Sequence, residues 1–240
     1  MDFNIENYSL KQLGNVAEVM SATTFRSRME KGLYLKPGTT YIKVPKYYIP
    51  NKMQVEIDEK PPIQDGFVVI AKDDIEDNIF LSCILNSHVA WQYLTNGNLD
   101  SRATILKKNL DTIPVRLLSK EMQSGVVYLY YLIGNIINLK SEGKNDSLLD
   151  YRESLYRELL DGVVLELTIP KLFKEFEIDL FFSWCSLMGK CYEEHPDVTI
   201  ENMQDIIGNK MVNPDNPVTH NMKKLRIVVQ KISEQLAGKI

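Results

Sequence analysis

The feature that most constrains this chain is a change of hydrophobic period near Ser119. Ahead of it, apolar residues come in short runs or alternate with polar ones. Beyond it, they recur every three or four residues over long stretches. Met53-Gln54-Val55-Glu56-Ile57 alternates with period two, as a half-buried strand requires. Thr40-Tyr41-Ile42-Lys43-Val44 has strand composition, and the continuous apolar run Gly66-Phe67-Val68-Val69-Ile70 reads as a fully buried strand. Pro37-Gly38, Pro50-Asn51 and Pro61-Pro62 punctuate these runs as turns.

One helix interrupts this β pattern. Asp73 or Asp74 can cap it, Phe80, Ile84, Ser87, Trp91 and Leu94 share a face, and Asn96-Gly97 ends it. Ile113-Pro114-Val115-Arg116-Leu117 returns to strand, with Pro114 marking an edge or a strand start. Residues 120–141 and about 147–168 then read as two long helices joined by the polar turn Lys144-Asn145-Asp146, an antiparallel αα-hairpin that Pro170 stops. Shorter helices are predicted at about 179–194 and 200–211; Met222 to Val229 suits strand or helix. The expected fold class is α+β: a mixed, β-rich module over 1–118 followed by a helical half over 119–240.

At 240 residues, with 44% hydrophobic and 25% charged content, the chain can bury a sizeable core, and disorder is not expected. No run approaches the roughly 20 apolar residues of a membrane helix, and the start, Met1-Asp2-Phe3-Asn4-Ile5-Glu6, has no secretory pattern. Cys83, Cys185 and Cys191 are odd in number and lack zinc spacing, and His88, His195 and His220 lie far apart. These features predict a soluble, cytoplasmic protein with free thiols and no metal site.

Net charge is −4, which by itself disfavours a polyanion partner. Its distribution does not. Residues 20–55 hold seven basic residues (Arg26, Arg28, Lys31, Lys36, Lys43, Lys46 and Lys52) against Glu30 alone, whereas residues 141–205 hold fifteen acids against six bases. That asymmetry predicts one surface for a polyanion and another that is merely solvated; the competing reading scatters these lysines over several faces.

Enzyme constellations are missing. Gly14, Gly32 and Gly38 are isolated and form no phosphate loop, and no serine sits in a nucleophile elbow. Asp58-Glu59-Lys60 has the acid-x-Lys form of metal nucleases but runs into Pro61-Pro62, and reads as a solvated turn. Asn213-Pro214-Asp215-Asn216 begins like the Asn-Pro-Pro-aromatic loop of amino-methyltransferases, lacks its second proline and aromatic, and also reads as a turn.

The segment from Gly66 to Leu117 carries a resemblance. A buried strand, a helix with Leu85-Asn86-Ser87 at its centre, and an exit strand, Lys107-Lys108-Asn109-Leu110-Asp111-Thr112-Ile113-Pro114, follow in order. Leu10 to Val19, Leu160-Asp161-Gly162-Val163-Val164-Leu165-Glu166-Leu167 and Asn216-Pro217-Val218-Thr219-His220-Asn221 add weaker matches. Together they resemble the TaqI-like C-terminal specificity domains of adenine-methylating restriction–modification enzymes and, more distantly, type I specificity subunits. Thr168-Ile169-Pro170 departs from the family, whose helix continues into Tyr-containing sequence. The resemblance implies a target-recognition module for double-stranded DNA with no cofactor of its own. An adenine methyltransferase domain or subunit elsewhere would hold S-adenosylmethionine and flip the target base.

Candidate DNA contacts follow from residue chemistry. Thr23 to Arg28, read as a polar loop, offers the Thr24 hydroxyl together with Arg26 and Arg28, and arginine pairs bidentately with guanine or phosphate. Lys43, Lys46, Tyr47 and Tyr48 form a basic–aromatic cluster that either lines a groove or sits half-buried on a strand. Asn98, Ser101 and Arg102 in a polar loop, followed by Lys107 and Lys108, suit phosphate. His88 and Trp91 read as packing residues, and Phe173, Phe176, Phe181, Phe182 and Trp184 as mostly core. The rival reading is a docking module in which DNA contact has been lost.

Overall fold

The computed structural model describes residues 5–31, 40–48, 56–58, 65–72, 75–95, 102–144 and 146–237. It is an α+β protein, mostly helical, with small antiparallel sheets. The chain forms two compact units, one over Asn7–Lys120 and the other over Glu121–Ile240 joined by the segment up to Glu6. Ile5 and Glu6 thus belong with the helical unit, whereas the hydrophobic period placed them with the first.

In the first unit, β1 (Leu10–Gln12), a one-turn helix α1 (Leu13–Val16) and β2 (Ala17–Ser21) lead into α2 (Ala22–Glu30). Then come β3 (Tyr41–Pro45), β4 (Tyr47–Tyr48), β5 (Glu56–Asp58) and β6 (Gly66–Ala71). Helices α3 (Ile75–Leu85) and α4 (His88–Thr95) precede β7 (Ala103–Thr104), α5 (Lys107–Asp111) and β8 (Pro114–Arg116). The main sheet is antiparallel, in the order β2-β6-β3-β5. The apolar run of β6 is therefore an inner strand. Its register, Ile42 opposite Val69 and Val19 opposite Val69, puts Val19, Ile42 and Val69 on one face and Met20, Tyr41, Val68 and Ile70 on the other.

Phe25 and Met29, one helical turn apart on α2, pack on Met20, Tyr41, Val68 and Ile70. The other face is equally dry, and α3 lies against β3, β5 and β6. Asn78 of α3 accepts from the Ala71 backbone N–H at 2.8 Å and donates to the Thr40 carbonyl at 2.9 Å, which satisfies a buried amide. Gly66 is required where β6 crosses β3, since a Cβ there would come within 2.4 Å of the Val44 carbonyl oxygen. Two short ribbons, β1–β8 and β4–β7, complete the unit, and Pro114 opens β8, where no second ladder needs its missing N–H.

Three local expectations change. Thr23 to Arg28 is helix, because Ser21 Oγ caps it by accepting the Thr24 N–H at 3.0 Å and Phe25 and Met29 give it a buried stripe. The helix expected through Leu94 is two helices: Ser87 Oγ donates to the Ile84 carbonyl at 2.7 Å, closing α3, and accepts from the Ala90 N–H at 3.2 Å, opening α4. Lys107 and Lys108 open helix α5 rather than lying on a strand, and strand geometry begins at Pro114. The cap at Asp73 or Asp74, the stop at Asn96-Gly97, Met53 to Val55, the turns at Pro37-Gly38, Pro50-Asn51 and Pro61-Pro62, and Lys36, Lys52, Asn98 and Ser101 lie outside the described residues.

The second unit contains α6 (Lys120–Ser141, whose first residue closes the first unit), α7 (Ser147–Thr168), α8 (Pro170–Glu175), α9 (Leu180–Glu194), α10 (Ile200–Val212) and α11 (Pro217–Ala237). Just beyond α6, Gly143 takes a left-handed φ of 87°. Lys140 near the end of α6 reaches Asp150 and Glu153 near the start of α7, at 2.5 and 2.7 Å. Asp146 caps α7 by accepting the Leu149 N–H at 2.7 Å. Pro170 stops α7 and serves as the first residue of α8. Val218, Met222, Leu225 and Val228 are buried at helical spacing, which settles the tail as helix. Tyr156, Val163, Phe181, Trp184 and Ile207 form the core, with Trp184 Nε1 donating to the Gly125 carbonyl at 2.7 Å. Phe173 is also core, while Phe176 is exposed.

Candidate nucleic-acid interface

Helix α2 projects its two arginines apart. At 100° per residue, Arg26 and Arg28 flank the Phe25–Met29 stripe on opposite sides. Arg28 turns to β2, where Nη1 pairs with Glu18 Oε1 at 2.5 Å. Arg26 turns to the residue that precedes β6, with Nη2 4.0 Å from Asp65 Oδ1. Lys46, between β3 and β4, approaches the other oxygen of the same carboxylate, with Nζ 4.0 Å from Asp65 Oδ2.

Lys46 also belongs to a second grouping. Its Nζ lies 5.7 Å from the centroid of the Tyr47 ring, and the Arg102 guanidinium carbon lies 4.3 Å from the same centroid. Both are within cation–π reach. The β4–β7 ribbon causes this: Tyr47 pairs with Thr104 and Tyr48 with Ala103, which brings Arg102 alongside β4, while the Ile105 N–H donates to the Lys46 carbonyl at 2.9 Å. Tyr47 is exposed, whereas Tyr48 is buried and packs on Trp91 with ring centroids 5.1 Å apart. The basic–aromatic cluster thus divides, one tyrosine serving the core and its neighbour facing water between cations. Lys46 and Arg102 thus flank the exposed Tyr47 ring, and half-buried Arg26 is linked to Lys46 through the exposed Asp65 carboxylate.

The remaining candidates lie in other settings. Thr24 is exposed on the first turn of α2, its hydroxyl 2.8 Å from Ser21 Oγ and its N–H in the helix cap. Lys43 is half-buried on β3, in register with Val68 and Glu56. Lys107 pairs with Asp111 one turn along α5 at 2.6 Å, and Lys108 is exposed beside it. Trp91 is core, but His88 is exposed at the start of α4. The member missed in the sequence is Asp65, the lone acid before an apolar strand. The signal available was its place one residue ahead of Gly66.

The other motifs resolve as local structure. Asp58 ends β5; Glu59 and Lys60 lie outside the described residues. Asn213 accepts the Asp215 N–H at 3.0 Å in a turn, and Asn216 accepts the Val218 N–H at 2.9 Å to cap α11. Glu166 is buried and accepts from the N–H groups of Leu180 and Phe181, at 3.0 and 2.8 Å, at the start of α9. Cys83 and Cys191 are buried thiols and Cys185 is half-buried. Among the described residues no group of His, Cys, Asp and Glu side chains could hold a metal ion, and no helix is long and apolar enough to cross a membrane.

Compared with protein-family models, with curated proteins and with solved structures, the chain matches none.

Proposed function

We propose that the Asn7–Lys120 unit is a sequence-specific recognition module for double-stranded DNA, serving a restriction–modification system. It holds the duplex for an adenine methyltransferase, which carries S-adenosylmethionine on another domain or subunit. This chain performs neither methyl transfer nor cleavage. The observation that carries the reading is the placement of Lys46 and Arg102 over exposed Tyr47, with Arg26 facing Lys46 across Asp65. Cations on a packed sheet and its ribbon suit a phosphate backbone, and arginine beside them suits a base edge.

Selection of bound duplexes from a random library tests it. A defined sequence should emerge, and substitution of Arg26 should weaken its enrichment. A pool that stays random with the chain, alone or with its methyltransferase, sinks the reading.

A second reading, a docking module, draws on a different observation. Leu10 and Tyr93 are exposed on the rim of a cavity of about 520 Å³ lined also by Lys11, Asn15, Thr112 and Pro114. It predicts that the chain is retained by a protein partner through this face and passes duplex DNA unbound.

A further inference from the structure

We propose that Arg26 and Lys46 form a phosphodiester subsite in which Asp65 stands where the phosphate binds, so that Asp65 acts as the subsite's built-in competitor. The identity of the polyanion as duplex DNA rests on the function proposed above; the subsite itself rests on geometry.

Each oxygen of the Asp65 carboxylate faces a different cation, Oδ1 toward Arg26 and Oδ2 toward Lys46. The two non-bridging oxygens of a phosphodiester present the same pair of acceptors, and guanidinium and ammonium groups are the side chains that bind them. Both approaches are 4.0 Å, longer than the roughly 2.7–2.9 Å of a charge-assisted hydrogen bond. The three side chains are 34%, 45% and 68% exposed for Arg26, Lys46 and Asp65. An ion pair this open and this long is weakly held, so a phosphate that makes direct hydrogen bonds to both cations displaces it.

The backbone segments that carry the two cations are held by the core and by the sheet. Arg26 follows Phe25, whose ring packs 4.9 Å from that of Tyr41 in the sheet core. Lys46 follows Pro45, held in register with Gly66, where the backbones meet too closely for a side chain. Lys46 also links the subsite to Tyr47 and Arg102, so a phosphate bound here places the adjoining sugar or base beside an aromatic face. A competitor in the subsite lowers affinity for any polyanion alike. It therefore leaves binding dependent on the additional contacts that only the right sequence supplies.

The test compares Asp65→Asn with Glu18→Gln in the full chain. Glu18 pairs with Arg28 on the opposite flank of α2, so the second variant removes the same charge away from the subsite. Two probes are used, a short random-sequence DNA duplex and heparin. Asp65→Asn should tighten duplex binding roughly threefold to tenfold and steepen the salt dependence by about one, with later elution from heparin. Glu18→Gln should change each by less, and adding Arg26→Ala to Asp65→Asn should abolish the gain. A gain on heparin with no duplex binding by either protein upholds the anion subsite and removes the DNA reading. Equal behaviour of Asp65→Asn and Glu18→Gln on heparin overturns the subsite, whatever the duplex result.

Discussion

The carboxylate of Glu166 on α7 accepts a 2.8 Å hydrogen bond from the backbone N–H of Phe181 at the start of α9. The same oxygen also takes the Leu180 N–H, so one buried acid satisfies two of the donors that a helix start leaves open. Burial is the larger influence on this carboxyl: it pushes the pKa up from 4.5 to about 8, with the Asp179 charge adding to the rise and the two backbone donors opposing it.

The consequence is a stability that falls as pH rises. Below 4.5 the folded and unfolded chains both hold the Glu166 proton. Between 4.5 and about 8 only the folded chain holds it, so unfolding releases a proton and is favoured by raising pH. Asp179, raised by its own burial, acts in the same direction. Thermal melts of the helical unit should therefore show Tm decreasing through this window and levelling above it. Glu166→Gln, which retains an acceptor oxygen, should remove much of that slope. An unchanged slope in Glu166→Gln assigns it to other groups.

Gly162 sets how closely α7, α9 and α11 approach. A Cβ there would come within 2.6 Å of Leu180 Cδ2 and 2.7 Å of Leu225 Cδ2, and both leucines are buried. Gly162→Ala should cost about 1–3 kcal/mol by overpacking, despite alanine's better helix propensity. Denaturant unfolding checks it; a stabilised variant would mean that the leucines repack freely.

Ser87 Oγ joins the end of α3 to the start of α4 through two hydrogen bonds. Ser87→Ala should lower the stability of the first unit by about 1–2 kcal/mol, read by chemical denaturation. Trp91→Ala, which empties a site 3% exposed against Tyr48, should cost about 3–5 kcal/mol while leaving any sequence preference as it was.

The two arginines of α2 should differ in DNA binding. Arg26→Ala should weaken duplex affinity and flatten the salt slope by about one if it meets phosphate, or cost roughly 1–3 kcal/mol at one base position if it meets a base. Arg28→Ala should have the smaller effect, since Glu18 holds Arg28 on the other flank. Salt-dependent affinity for cognate and scrambled duplexes separates the cases. Equal losses at the two positions would place the DNA face across the whole helix.

Local periodicity determined much of the architecture. The change near Ser119 separates an α+β unit from a helical one, and the helices at 120–141 and 147–168 are legible because long apolar stripes and caps such as Asp146 are local properties. Tertiary structure decided the rest. Thr23 to Arg28 looks polar in isolation and becomes helix because two residues, Phe25 and Met29, find a sheet face. Lys46 reaches Asp65 through the register of β3 with β6, and Arg102 reaches Tyr47 through that of β4 with β7. Arg28 meets Glu18 on β2 instead, and Lys107 meets Asp111 one turn along its own helix. Residue chemistry is written in the sequence, but which charges share a surface depends on strand pairing between distant segments, and a one-residue slip in that pairing would reverse the faces.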